Sequence, residues 1–362
     1  MLTRRITRTI TVGLFLLSGL VFVLTLMAMG RPQKAITKRL PPLPPMHFPI
    51  SGLPPVRGFS MQLDNPRGLP EYLHAITKLH AMGCRWINFV INARQHDVHA
   101  DNIHIDPQVS LSPSQIRKVL LAAHHLGIHT MLMPIVLLNH ATGDDWRGVI
   151  KPKNWNIWFA RYRGYILAAA DWAQETHVDI FCVGSELLST EPFNAQWLRI
   201  IHMTRQRFHG KLTYSANWDH YQYVHFWPEL DYIGMNSYYD LSDSRHPSTA
   251  AVVAHWQRIE HRILTFAARE RKPVLFTEIG WDNLNNTLAK PWDYVGTGLV
   301  NPHNQLVAYQ AFVRVWRNLP VASFMGAFIW EWLPGCKPTD YGAYSPQGEP
   351  ALPLIQHWIS GR

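Results

Sequence analysis

Three kinds of residue are scarce in this 362-residue chain, and each shortage excludes something. Cysteine occurs only at Cys84, Cys182 and Cys336, the first two inside apolar runs and none in a C-x-x-C spacing, which argues against a disulfide framework and a structural zinc site. Charged residues make up only 16% of the chain against 47% apolar ones, a balance that excludes a disordered protein and supplies a sizeable core. Acidic residues are missing altogether from the first forty positions, where Arg4, Arg5, Arg8, Arg31, Lys34, Lys38 and Arg39 account for most of the net charge of +9. The remainder carries 27 basic against 25 acidic residues, so no excess is left for a phosphate-facing patch, and nucleic acid is not an expected partner. Also missing are a Gly-rich phosphate loop and an H-E-x-x-H pair. The twenty histidines therefore do not amount to a metal site, and the adjacent His124 and His125 lie on a helical stretch with no third ligand nearby in sequence.

The basic N-terminal segment, residues 1–9, is followed by an uncharged apolar run, residues 10–30, of about the ~20 residues that cross a hydrocarbon core. It is too long for the apolar part of a signal peptide and ends in a poor cleavage site, so a single-pass transmembrane anchor is expected. Arginine and lysine flank it on both sides, and charge counting does not decide its orientation. Residues 31–55 are basic and then proline-rich, with seven prolines between positions 41 and 55, which favours an extended, semi-rigid spacer. Residues 56–362 form the remaining domain.

Within that domain β-rich runs at 56–62, 84–92, 129–138, 179–187, 211–218, 231–239, 273–281 and 324–332 alternate with helical patterns at 70–82, 112–126, 155–175, 193–208, 248–269 and 302–318. Counting 221–229 and 352–359 as helices gives eight βα pairs. Such alternation implies parallel strands covered on both faces, and eight units predict an α/β fold of the (β/α)8 TIM-barrel type, preceded by one N-terminal transmembrane helix. Barrel chemistry lies at the C-terminal ends of the strands.

Two of those ends carry a carboxylate: FCVGSELL contributes Glu186 to the fourth strand and LFTEIGW contributes Glu278 to the seventh. A glutamate in an apolar strand is costly to desolvate and needs a reason. Cleavage of a glycosidic bond supplies one, because it uses one carboxyl to protonate the leaving oxygen and another to capture the anomeric carbon, about 5–5.5 Å apart in the retaining mode. That chemistry needs no metal and no organic cofactor. Trp146, Trp218, Trp281, Trp330 and Trp332 fall at or just past strand ends, where an indole face can stack on a pyranose ring; core packing is the competing role, and for Trp146, Trp218 and Trp281 both stay open. Asn236 and Tyr238 share a strand face and are expected at the mouth, with Tyr239 turned toward the helices. Glu331 has the opposite parity to Trp330 and is expected to pair behind it. Arg94, Asp97, Asn139 and His140 lie on loops that can touch a ligand.

Together with DDWRGVI, NWNIWFARYRGYI, DYIGMNSYY, FIWEWLP and DYGAYSPQGEPAL, these segments resemble glycoside hydrolase family 113, in the clan of retaining β-glycosidases whose glutamates stand on strands four and seven. The resemblance implies an endo-acting β-1,4-mannanase-like activity on a polysaccharide, with Glu186 as general acid/base, Glu278 as nucleophile and Tyr238 positioning the nucleophile. Ser185 stands where many members of the wider clan carry Asn before the acid/base, which bears on the contact to the sugar 2-hydroxyl. The expectation is a membrane-tethered hydrolase with its barrel outside the cytoplasm and Glu186 raised in pKa by the charge of Glu278. Two other readings share the residues: a non-catalytic glycan-binding barrel in a surface or export assembly, and a transglycosylase using the same two glutamates.

Overall fold

Eight parallel strands pair in sequence order, and the first closes on the last: β1 (Val56–Gln62), β2 (Trp86–Gln95), β3 (His129–Leu138), β4 (Ile180–Ser185), β5 (Lys211–Ala216), β6 (Ile233–Asn236), β7 (Val274–Ile279) and β8 (Phe324–Ile329). The computed structural model describes residues 52–336 and 340–361. The expected anchor at 10–30 and nearly all of the proline-rich spacer lie outside them. Among the described residues no helix is long and apolar enough to cross a membrane. The barrel is surrounded by α1 (Leu69–Ala81), α2 (Pro113–His125), α3 (Trp155–Glu175), α4 (Asn194–Arg205), α5 (Thr249–Glu270), α6 (Pro302–Trp316) and α7 (Leu352–Ile359).

Helix starts follow local chemistry. Ser112 and Gln115 form a reciprocal capping box at α2 with Pro113 in the first turn, and Asn154 and Ser248 accept backbone N–H groups at the starts of α3 and α5. One expected helix is not there. Residues 221–229 make two 3₁₀ turns, Tyr221–Tyr223 and Trp227–Glu229, separated by an extended Val224. Pro228 cannot donate to a preceding carbonyl, and Tyr221, Phe226 and Trp227 are all drawn into the core, which one short helix face could not achieve.

Alternation along the strands sorts the core into two layers. Trp86, Val90, Met131, Met133, Ile180, Cys182, Leu275 and Phe328 fill the barrel interior, while Phe89, Leu132, Phe181, Phe276 and their neighbours meet the helices. Trp256 and Trp316 meet Phe276 from the helix side, and each such buried ring contributes about 1.5–3 kcal/mol relative to exposure.

Regular alternation breaks at two places. On β4, Val183 and Gly184 lie between paired positions where β5 has only Tyr214, and on β7, Thr277 is inserted between the partners of Met235 and Asn236. Both are β-bulges, which re-aim the side chains beyond them. After Leu275 inward and Phe276 outward, Thr277 faces inward to share a 2.6 Å hydroxyl contact with Ser215, and Glu278 then faces inward as well. Ile279 returns to the outer layer.

The seam between β8 and β1 depends on one glycine. Gly326 has φ +129°, and a Cβ there would stand 1.9 Å from the Val56 carbonyl oxygen. Gly326→Ala is expected to cost about 3 kcal/mol or more, read as a lowered denaturation midpoint or loss of soluble protein.

Candidate active site

The two glutamates reach the barrel mouth by different local means. Glu186 is the first residue past β4 and takes a left-handed backbone, φ +54°, which a residue with a Cβ adopts at some cost. Its N–H donates to Ser215 O at 2.8 Å. The next N–H, of Leu187, donates to the Tyr214 hydroxyl at 3.0 Å, and that hydroxyl donates to Glu191 at 2.9 Å. The turn is thus pinned from behind by a buried chain. Glu278 sits inside β7 beyond the bulge, opposite Asn236 in register.

Asn236 connects them. Its side-chain oxygen accepts the Trp218 N–H at 2.8 Å and its amide donates to Glu186, while its register partner is Glu278. On the other side the Tyr238 hydroxyl donates to Glu278 Oε2 at 3.2 Å, leaving Glu278 Oε1 buried without a partner among the described residues. Both carboxyls are nearly inaccessible, 8% for Glu186 and 4% for Glu278.

One cation stands beside this pair. Arg147, on the 3₁₀ turn Arg147–Val149 after β3, forms an ion pair with Glu186 and also acts electrostatically on Glu278 and Tyr238. Neither period nor strand parity singles it out, although it lies within the segment DDWRGVI. What brings it in is the close fold of the turn: a Cβ at Gly148 would lie 2.3 Å from the Trp146 ring, so a side chain there would push the arginine off its carboxylate. Burial, and after it the charge of Glu186, pushes Glu278 up to about 8, with Arg147 and the Tyr238 hydroxyl opposing. The raised group expected from sequence was Glu186; the structure places Arg147 on that carboxylate and raises Glu278.

The remaining expected residues divide. Trp281 is fully buried among Trp256, Tyr309 and Phe312, presents no face to a ligand, and is a core residue. Its strand has ended at Ile279, so the indole turns into the helix layer. Trp332 is likewise buried, against Phe59. Trp330 is half-buried past β8, its N–H donating to Ile279 O at 2.8 Å. Trp146 is half-buried under Gly148, and Trp218 is half-buried between Tyr239 and Trp292. Tyr239 faces the helices, as expected, and meets Trp256. Ser185 is buried with its hydroxyl unpartnered among the described residues. Glu331 accepts from Gln62 at 3.1 Å, so its partner is an amide at the end of β1, and burial raises it to about 7. Among the described residues no three His, Cys, Asp or Glu side chains come together as metal ligands.

A carboxyl raised by burial stabilises the fold only while protonated. For Glu278 that contribution is full below about 4.5, falls away as pH rises, and is gone above about 8. Glu278→Gln is therefore expected to raise the melting temperature relative to wild type at pH 8–9 and to change it little at pH 4–5, measured by thermal unfolding across that range.

The profile of Glycoside Hydrolase Family 113 matches residues 69–344. Among solved structures, the GH113 β-mannanase AaManA from Alicyclobacillus acidocaldarius, in complex with ManMIm, aligns at 25% identity and TM-score 0.76 over 86% of this chain and 99% of its own. A GH113 β-1,4-mannanase aligns at 21% identity and TM-score 0.77 over 86% of this chain and all of its own. The fold extends to a family 5 mannosidase from Rhizomucor miehei at 10% identity, TM-score 0.58, 85% of this chain and 92% of that one. No curated protein matches the sequence.

Proposed function

The chain belongs to glycoside hydrolase family 113 and is a glycoside hydrolase, and from that premise we propose that it is a retaining, endo-acting β-1,4-mannanase-like enzyme that works through Glu186 and Glu278. The observation that carries the mechanism is two buried carboxyls at one barrel mouth that act on each other electrostatically, Glu186 held by Asn236 and Arg147 and Glu278 by Tyr238. Glu278 attacks the anomeric carbon while Glu186 protonates the departing oxygen; Glu186 then takes a proton from water as that water releases the sugar from Glu278. Tyr238 holds the attacking carboxylate in line.

This scheme needs one proton between two carboxyls. Arg147 lies on Glu186 and burial raises Glu278, whereas attack requires a charged Glu278 and a protonated Glu186. Because Arg147 acts on both, a small shift of its guanidinium from Glu186 toward Glu278 exchanges the charge and readies the pair. A site built only to bind glycan would gain nothing from two acids this close, which favours the catalytic reading over a binding barrel.

The substrate class rests on the mannanase relatives, whose chains align almost end to end with this domain. The apolar run at 10–30 and the prolines after it support a tethered enzyme, and a polysaccharide substrate is the reason to put its barrel outside the cytoplasm.

Glu186→Gln and Glu278→Gln in the full chain are each expected to lower kcat on soluble β-1,4-mannan by a factor on the order of 10³ or more, read as reducing ends released. Near-wild-type turnover by either variant removes its residue from the mechanism. The alkaline limb of kcat/KM is expected near pH 8, where the pair loses its proton. Arg147→Gln removes a cation that lowers Glu278, so its alkaline limb moves to higher pH, whereas Arg147→Lys holds it closer to wild type; an unmoved limb in Arg147→Gln contradicts the shared-proton scheme.

A further inference from the structure

The loop from β7 to α6, residues 280–301, is far longer than most connections in a barrel and has no helix or strand of its own. Its stem is well tied. Leu284 and Val300 form an antiparallel bridge, Asn285 N–H donates to Leu299 O at 2.8 Å, Asn301 N–H donates to Asn283 O at 2.7 Å, and the Tyr341 hydroxyl donates to Gly298 O at 2.6 Å. The loop nonetheless turns apolar and aromatic side chains to solvent: at its tip Trp292 is 44% exposed and Tyr294 84%, with Val295 also open, and on the stem Leu299 is 74% exposed with Val300 open beside it. Single exposed hydrophobics are ordinary, but several on one anchored loop mark a contact surface.

Two separate paths connect that tip to the reacting carboxyls. Trp292 stacks on Trp218, with centroids 5.9 Å apart and planes 28° apart, and the Trp218 backbone N–H donates to the Asn236 side chain, whose amide donates to Glu186. On the other side the Tyr344 hydroxyl donates to the Pro291 carbonyl, the Tyr344 ring meets Tyr238 edge-on at 6.4 Å, and Tyr238 donates to Glu278. The apolar surface is therefore an outward continuation of the catalytic mouth.

The geometry points to this tip, centred on Trp292 and Tyr294, as a binding surface for the part of a polysaccharide chain lying beyond the bond being cleaved, a run of β-linked pyranose units stacked on the two rings. The inference rests on the glycosidase reading and extends it to polymer recognition. Flat rings with one free face suit the C–H face of a pyranose, and the tip carries only Lys290 and Asp293 as charges, without the basic flank of a loop that docks on an anionic bilayer. A second protein copy seated there would cover the mouth that substrate must enter.

The test uses the full chain, with soluble β-1,4-mannan as the polymer and an aryl β-mannobioside as the short substrate. Trp292→Ala and Tyr294→Ala are each expected to raise KM for the polymer about tenfold with kcat kept, and to leave both constants for the short substrate within about twofold. Trp292→Phe restores most of the loss. Retardation in gels containing mannan reads binding without turnover and is expected to weaken in the two alanine variants. Unchanged polymer kinetics and retardation in those variants overturn the inference, as do equal losses on both substrates. Loss of self-association or of binding to phosphatidylglycerol vesicles, with polymer kinetics intact, overturns it in favour of another occupant. Wild-type protein that is retarded through Trp292 but releases no reducing ends keeps the surface and removes the hydrolytic mechanism. Turnover that ignores both substitutions does the converse, and wild-type protein that neither cleaves nor is retarded by mannan removes this inference.

Discussion

Two carboxyl groups are buried side by side at the mouth of this barrel, and the positive charge of Arg147 makes that arrangement tolerable. Without a cation, two ionised acids out of water would repel each other and lack solvation, and the fold would have to protonate one or open the site. With it, Glu186 is paired, and the same cation offsets part of the burial and like-charge repulsion that push Glu278 up. The surrounding polar groups fit that compromise. Asn236 donates to the carboxyl that Arg147 holds, Tyr238 donates to the one that Arg147 does not touch, and Gln62 donates to Glu331, a third acid whose charge also acts on Glu278.

The eightfold alternation of strands and helices was legible because each element carries its own period and its own cap, as at Ser112, Asn154 and Ser248. Glu186, Glu278, Asn236 and Tyr238 were legible because polar residues at the ends of apolar strands are conspicuous, and all four meet in the structure. Three things were not. Arg147 lies on a loop whose path depends on Gly148 folding under Trp146, a tertiary contact without a period. Trp281 follows its strand by two residues, and a change in chain direction there turned an expected platform into core. The segment 221–229 had aromatic residues enough for a helix face, but Pro228 and burial on several sides broke it into two turns.

Stability and reactivity are set against each other at this site. Glu186 keeps a left-handed backbone, and among the described residues one Glu278 oxygen and the buried Ser185 hydroxyl have no partner. Each would be relieved by a blander residue. The aromatic packing of Trp256, Trp316, Phe276 and Phe324 directly behind β7 offsets such local costs and keeps the strand from relaxing them away.

The inserted Thr277 gives β7 an odd step in its reading frame. Were the same residues to pair without that bulge, all eight strands could still close and bury the same aromatic layer, but strict alternation after inward Thr277 would turn Glu278 outward into the ring of helices, where no sugar can follow. Architecture and chemistry are thus separable here by a single position, and a relative can lose its reactivity without losing its shape.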